Sequence, residues 1–227
     1  MITKTFFAEP VMSTDGKLLG VELLTKFHHA DMPVLDSKYY ILAMPIEQKR
    51  QLLIQQLTEI QIAASWFRDY GLFCSLNVDR HQARLCAYDR ELVEWLQGLC
   101  DVVRIEISED FEGLEYGINE PLLRKLIANG NDLFLDDLGT GRANLSALTT
   151  GCYHTVKLDK AFYRHEVQKP TFSTLIKNIK RYCDRIIIEG VEQRDELENL
   201  KVHDVEVWGI QGYLYKSTPF GKVHTLI

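Results

Sequence analysis

Short apolar runs alternate along the chain with stretches in which apolar positions recur every three or four residues. Residues 6–12 and 18–25 read as strands on either side of the turn Thr14-Asp15-Gly16, which predicts a hairpin. Residues 46–70 place Leu52, Leu53, Gln56, Leu57, Ile60, Ala63, Ala64 and Phe67 near one face, the pattern of a long helix. Strand patterns follow at 72–78, 102–108, 132–138, 155–159, 185–189 and 205–207. Helical patterns fall at 90–99, 120–128, 143–148, 172–183 and 193–200. Pro121 suits a first helical turn, and Asn129-Gly130 suits the stop of the same helix.

Strands alternating with helices predict parallel βαβ units. No linker divides them, so the expectation is an α/β fold with one domain over 1–227: a modified TIM (β/α)8 barrel. The opening hairpin makes the first strand antiparallel. In such barrels the chemistry sits at the C-terminal ends of the strands. Glu22, Asn77, Glu106, Asp136, Asp137, Lys157, Glu189 and Gln211 all fall at expected strand ends.

Composition narrows the function. The chain has 227 residues, 46% hydrophobic and 26% charged, an ordinary globular balance. A net charge of −6 argues against direct nucleic-acid binding, which usually needs a basic field. The five cysteines are odd in number and lack CxxC spacing, which suits reduced thiols in a cytoplasmic protein and disfavours zinc. No signal peptide opens the chain, and no apolar run approaches the roughly 20 residues of a membrane helix, so no membrane partner is expected.

The acids carry the chemistry. Leu133-Phe134-Leu135 runs directly into Asp136-Asp137, then into Leu138-Gly139-Thr140-Gly141. Adjacent carboxylates at a strand end repel each other and are costly to desolvate, and a divalent cation removes that penalty. The layout recurs at Ile105-Glu106-Ile107-Ser108-Glu109, at Ile188-Glu189-Gly190-Val191-Glu192 and at Val21-Glu22. Carboxylates plus the Asn77 amide, without His or Cys, suit Mg²⁺ or Mn²⁺. Two ions roughly 3.5–4 Å apart would use this many acids and stabilise an in-line displacement at phosphorus. Lys157 would add positive charge beside the nucleophile or the phosphate. The residues alone therefore suggest metal-dependent phosphoester hydrolysis.

Glu22-Leu23-Leu24, Asn77, Glu106-Ile107-Ser108-Glu109, Asp136-Asp137-Leu138-Gly139-Thr140-Gly141, Lys157-Leu158-Asp159, Glu189-Gly190-Val191-Glu192 and Gln211-Gly212-Tyr213 resemble, in order, the EAL-domain pattern. The resemblance spans about residues 5–220. It implies a phosphodiesterase that opens cyclic-di-GMP to linear pGpG, lowering a second messenger that controls biofilm, fimbriae and motility. It also implies that Glu22, Asn77, Glu106 and Asp136 bind one cation and Asp136, Asp137 and Glu189 the second. Lys157, Gln211, Glu22 and Glu189 would take part in catalysis. Lys26, Leu24, Pro10, Asp159, Gln211 and Gly212 would contact substrate. Glu109, Glu192, Gly139 and Thr140 would support the loop after Asp137, through which a homodimer is implied. Ca²⁺ is implied to inhibit.

The chain departs from that pattern at several points. Leu23 replaces the alanine of the signature, Leu138 a phenylalanine and Ser108 a threonine, and Glu9 stands where glutamine is common. Lys26 replaces a phosphate-binding arginine, which keeps the charge but loses the bidentate fork. These departures sustain an alternative, a catalytically weak cyclic-di-GMP receptor or a protein-binding regulator of transcription. A phosphohydrolase of another substrate is a third reading.

Overall fold

The expected opening hairpin forms and is longer than its apolar runs suggest. Strands β1 (Ile2–Met12) and β2 (Leu18–His29) pair antiparallel from Ile2 opposite His29 to Met12 opposite Leu18. This computed structural model describes residues 2–29, 32–33, 36–141, 143, 145–149, 151–202 and 205–227.

From β2 the sheet runs in parallel through β3 (Phe73–Val78), β4 (Val103–Ile107), β5 (Asp132–Leu138), β6 (Thr155–Leu158), β7 (Arg185–Ile188) and β8 (Gly209–Gln211). Strand β8 then returns antiparallel to β1, with Val11 opposite Gln211, and closes an eight-stranded mixed barrel. This is the modified TIM barrel with an antiparallel first strand that the sequence predicts. The last strand of the barrel is Gly209–Gln211 rather than 205–207. The pairing of Ile187 with Gly209 and of Ile188 with Ile210 fixes it there, and the earlier apolar positions Val205 and Val207 pack outside strand structure.

The helices are α1 (Ser37–Leu42), α2 (Ile46–Asp69), α3 (Arg80–Tyr88), α4 (Arg90–Gly98), α5 (Pro121–Ala128), α6 (Leu145–Leu148), α7 (Lys160–Glu166), α8 (Phe172–Ile179) and α9 (Arg194–Val202). Helix α2 buries Leu52, Leu53, Gln56, Leu57, Ile60, Ala64 and Phe67 against the sheet, as its spacing predicts. Helices α1, α3 and α7 are not among the helical patterns read from the sequence. Their caps are legible in retrospect: Asp79 and Gln82 form a capping box on α3, and Asp36 and Asp159 cap α1 and α7.

The main core lies between barrel and helices. A second cluster of Val11, Phe73, Phe134 and Ile187, with Leu19 and Trp208, fills the barrel at the N-terminal end of its parallel strands. Phe73 stacks on Trp208 with centroids 5.4 Å apart and meets Phe134 edge-on at 5.3 Å. Trp208 thus plugs the closed end of the barrel, which leaves the opposite mouth to polar side chains.

Candidate active site

Side chains alternate along a strand, so each inward apolar residue of the plug has an inward partner two positions on. Phe73 leads to Ser75 and Asn77, Phe134 to Asp136, and Ile187 to Glu189. Ser75, Glu22, Glu106, Asp136, Lys157 and Gln211 are all buried at this level.

Lys157 organises the site. Its side chain is 1% exposed, and its ammonium lies 3.0 Å from Glu22 Oε2, 3.1 Å from Glu106 Oε2, 3.1 Å from Asp136 Oδ1 and 2.8 Å from Glu189 Oε1. Burial acts to neutralise Lys157, but the charges of Asp136, Glu106, Glu189 and Glu22 overcome it and hold its pKa well above the ordinary lysine value. Gln211 Nε2 donates to Glu22 Oε2 at 2.6 Å, and Asn77 Nδ2 donates to Glu22 Oε1. Burial opposes ionisation of Glu22, yet Lys157, Gln211 and Asn77 together lower its pKa.

The other acids behave in the opposite way. Burial, then the charge of Glu22, lifts Glu106 well above the usual carboxylate range. Burial also raises Asp136. Burial and the adjacent Asp136 push Asp137 to about 8. Glu189 is pushed to about 8 by burial, with Lys157 opposing and Asp136 adding to the rise. The site therefore holds more carboxylates than Lys157 can neutralise.

This donor set fits a hard cation. Asp136, Asp137 and Glu189 can each present a carboxylate oxygen with all three within 4.8 Å of one another. Asp136 Oδ1 is buried, and its partner is the Lys157 ammonium in an ion pair. Gln211 Oε1 is also buried, and unpaired among the described residues.

Asp137 leads into the following loop with φ 54°, a left-handed conformation that is rare for a non-glycine residue. Its carbonyl accepts from Thr140 N at 3.1 Å and from Thr140 Oγ1 at 2.9 Å. Gly139, at φ +108°, lies against the Phe162 ring where a side chain would not fit. The neighbouring Glu109 carboxyl adds to the rise at Asp137. Gly141 leaves room for Glu109.

A cleft of about 470 Å³ runs from these acids to the space beside α1 and α2. Asn77, Asp136 and Asp137 line one end, and Leu24, Ile41, Leu42 and Gln56 the other. Lys38, Arg80 and His81 add a basic margin.

The structure thus brings together Glu22, Asn77, Glu106, Asp136, Asp137, Lys157, Glu189 and Gln211, and puts Leu24 in the cleft wall. It separates others that the resemblance assigns to the site. Asp159 caps α7, accepting from Phe162 N at 2.8 Å. Glu192 is held by Lys160 and by Arg164, the latter at 3.3 Å. Lys26 is exposed, with its ammonium 4.3 Å above the Phe7 ring and outside the cleft lining. Pro10 pairs with Val21 and so faces away from the side carrying Glu9 and Glu22. Gly212 packs against the Val191 backbone. Sequence reasoning missed Ser75, which is fully buried among these acids and acts to lower the pKa of Glu106. Its position two residues before Asn77 on one strand was the available signal.

Known proteins resemble this chain. The EAL domain family profile matches residues 4–218. The chain is 28% identical to the cyclic di-GMP phosphodiesterase PdeH of Escherichia coli, over 96% of this chain and 86% of the relative. It is 26% identical to the putative anti-FlhC(2)FlhD(4) factor YdiV of the same organism, over 96% and 92%. Among solved structures, the EAL-like domain protein YdiV superposes with a TM-score of 0.89 at 24% identity, covering 100% of this chain and 97% of that one. The PaMucR phosphodiesterase in complex with c-di-GMP superposes with a TM-score of 0.70 at 19% identity, covering 99% and 94%. These two likenesses concern the fold.

Proposed function

The chain belongs to the EAL domain family, and we propose that it is a cyclic-di-GMP phosphodiesterase, giving linear pGpG, that acts as a single cytoplasmic domain over 1–227. The observation that carries this reading is the convergence of Glu22, Glu106, Asp136 and Glu189 on Lys157, with Asp137 and Asn77 at the same mouth. The similarity to PdeH supports the same substrate.

Glu22, Asn77, Glu106 and Asp136 would hold one Mg²⁺ or Mn²⁺, and Asp136, Asp137 and Glu189 a second. When bound, the ions would acidify water and offset charge on the phosphate. Lys157 keeps Glu22 ionised and holds Glu106 aligned, and its charge offsets the acids that an anionic phosphodiester must approach. Gln211 fixes Glu22 through Nε2 and leaves Oε1 to orient the attacking water. Water adds across one P–O3′ bond, its proton passing to the departing 3′ oxygen. Turnover lowers the messenger that controls biofilm, fimbriae and motility. We also propose a homodimer through the loop after Asp137.

The test is hydrolysis with Mg²⁺ or Mn²⁺, followed by chromatography, beside Glu22→Ala. Product from the parent and none from the variant supports the enzyme. Adding Ca²⁺ is expected to suppress turnover, because the larger ion takes more ligands in looser geometry.

A second reading is a regulator that captures a transcription factor. It is supported by the similarity to YdiV and by Lys26 standing outside the cleft. Bound nucleotide without product in either metal would favour it.

A further inference from the structure

Helix α2 carries two polar side chains on a face that is otherwise apolar. Lys49 is 2% exposed and Gln56 4%, and they stand about two helical turns apart on one side of the helix. Burying such groups without partners is costly. Gln56 Nε2 donates to Thr25 Oγ1 at 3.0 Å. The Lys49 ammonium donates to Leu42 O at 3.1 Å and pairs with the Asp79 carboxylate. Thr25, Leu42 and Asp79 all line the cleft, so α2 holds the cleft walls from behind.

Both partners of Lys49 are helix ends. Leu42 is the last residue of α1, where carbonyls lack partners within the helix. Asp79 caps the start of α3, with Oδ1 accepting from Gln82 N at 2.8 Å and Oδ2 facing Lys49. One buried ammonium thus joins the end of α1 to the start of α3. Those ends flank the cleft, with Ile41 and Leu42 on one side and Asn77, Val78 and Asp79 on the other.

Helix α1 needs this tie. It buries none of its residues, so apolar packing alone does not set its position. Its Tyr40 ring meets Phe27 with centroids 4.7 Å apart. Near its N-terminus Lys38 lies 2.9 Å from Glu109 Oε1 and 3.2 Å from Asp110 Oδ2, in half-exposed ion pairs that solvent screens. Lys49 supplies the buried, charge-assisted contact, which is the stronger kind.

We propose that Lys49 is a positioning residue for nucleotide binding: by joining the Leu42 carbonyl to the Asp79 carboxylate, it holds α1 at the distance from α3 that a nucleotide in the cleft requires. The choice of ligand rests on the proposed cyclic-di-GMP reading. The partners of Lys49 are not the acids gathered on Lys157, and Asn77 is held separately by its bond to Glu22. Loss of Lys49 therefore falls on nucleotide affinity, while the cation site and the chemical step keep their groups.

The experiment compares the parent, Lys49→Met, and Lys49→Met combined with Asp79→Asn. Calorimetry measures cyclic-di-GMP binding in Ca²⁺ and Mn²⁺ binding without nucleotide. Hydrolysis in Mn²⁺ gives KM and kcat, and urea unfolding in EDTA gives stability. Lys49→Met leaves the Asp79 carboxylate without its cation and is expected to lose stability. The second substitution removes that charge while Asn still caps α3, so much of the stability should return. The Leu42 carbonyl stays untied in both variants. Both should therefore bind cyclic-di-GMP about tenfold more weakly, the scale of one lost charge-assisted hydrogen bond. KM should rise by a similar factor, with kcat and Mn²⁺ affinity within about twofold of the parent, the signature of lost uniform binding. Affinity that returns with stability in the double variant overturns the proposal, because Lys49 then serves the fold alone. Unchanged affinity in Lys49→Met overturns it too, as does a loss that falls on kcat or on Mn²⁺ instead, or a parent that binds no cyclic-di-GMP. A parent that binds cyclic-di-GMP but opens none overturns the phosphodiesterase reading alone. The affinity comparison then still decides the role of Lys49.

Discussion

Glu9 and Glu22 stand directly opposite each other across the opening hairpin, two acids side by side at the mouth of the barrel. Burial, then the charge of Glu22, raises the pKa of Glu9, while Gln211, Lys157 and Lys26 act to lower it. Like charges directly opposite on neighbouring strands are destabilising. Glu9→Gln should therefore stabilise the metal-free protein at pH 7.5 by about 0.5 kcal/mol. That corresponds to roughly 1–2 °C in melting temperature for a domain of this size. A lower melting temperature would show that the Glu9 side chain contributes more than it repels.

The acid site should make the metal-free protein less stable as pH rises. Asp137 and Glu189 hold protons to about pH 8 in the fold, against ordinary values of 3.8 and 4.5. Between those limits the native state binds more protons than the unfolded chain, so stability falls with increasing pH. Each group contributes a slope on the order of 1 kcal/mol per pH unit across the window. The lowered Glu22 opposes this only near and below its ordinary value of 4.5, outside most of that window. Urea unfolding in EDTA at pH 5.5, 6.5, 7.5 and 8.5 gives the slope, and Mn²⁺ should flatten it by binding the ionised acids. Stability that rises through this range in EDTA would contradict the arrangement of charges.

Much of this site was legible in the sequence because it is built on strands. Alternation fixes which residues face inward, and an acid that ends an apolar run must lie near the barrel mouth. That logic places Glu22, Glu106, Asp136 and Glu189 together without coordinates. It fails where tertiary contacts decide. Asp159 follows Lys157 closely, yet a helix begins there and takes its carboxylate as a cap. Lys26 shares a face with Glu22, but the strand carries it beyond the mouth to Phe7. Lys38 lies on a six-residue helix with no buried residues, too short and too polar for periodicity to reveal. The final strand was misplaced because a three-residue strand carries almost no pattern, and only its pairing with β7 defines it.

Gly212 adjoins Gln211 at φ +144°, and a Cβ there would lie 2.5 Å from the Val191 carbonyl oxygen and 2.6 Å from the Val191 nitrogen. Both neighbours are backbone, so neither can yield by changing rotamer. Val191 N also donates to Gln211 O at 3.0 Å, which ties this contact to the strand end that carries Gln211. Gly212→Ala should cost about 2–3 kcal/mol, the scale of strain at a disallowed backbone position. Chemical denaturation measures it, and a loss under about 0.5 kcal/mol, the range of neutral surface changes, would show that the loop relaxes freely.

Lys157 separates the structural and chemical roles of the site most sharply. Lys157→Met keeps the length of the side chain but removes the cation that Glu22, Glu106, Asp136 and Glu189 all face. Leaving buried charges unpaired typically costs about 3–5 kcal/mol. The carboxyls can escape part of that cost by taking up protons, so the loss should be largest at high pH and shrink as pH falls toward 5. Mn²⁺ should also recover part of the stability, because the acids gain a different counter-charge. Hydrolysis of cyclic-di-GMP should stay at least about a hundredfold below the parent even with Mn²⁺ saturating, the scale expected when a charge that stabilises the transition state is lost. Unfolding curves at pH 5.5 and 8.5, with EDTA and with Mn²⁺, run beside turnover of the same preparations. Recovered stability with absent turnover would assign Lys157 to the chemistry. Full turnover in a restored fold would reduce it to a counter-ion for the metal-free acids.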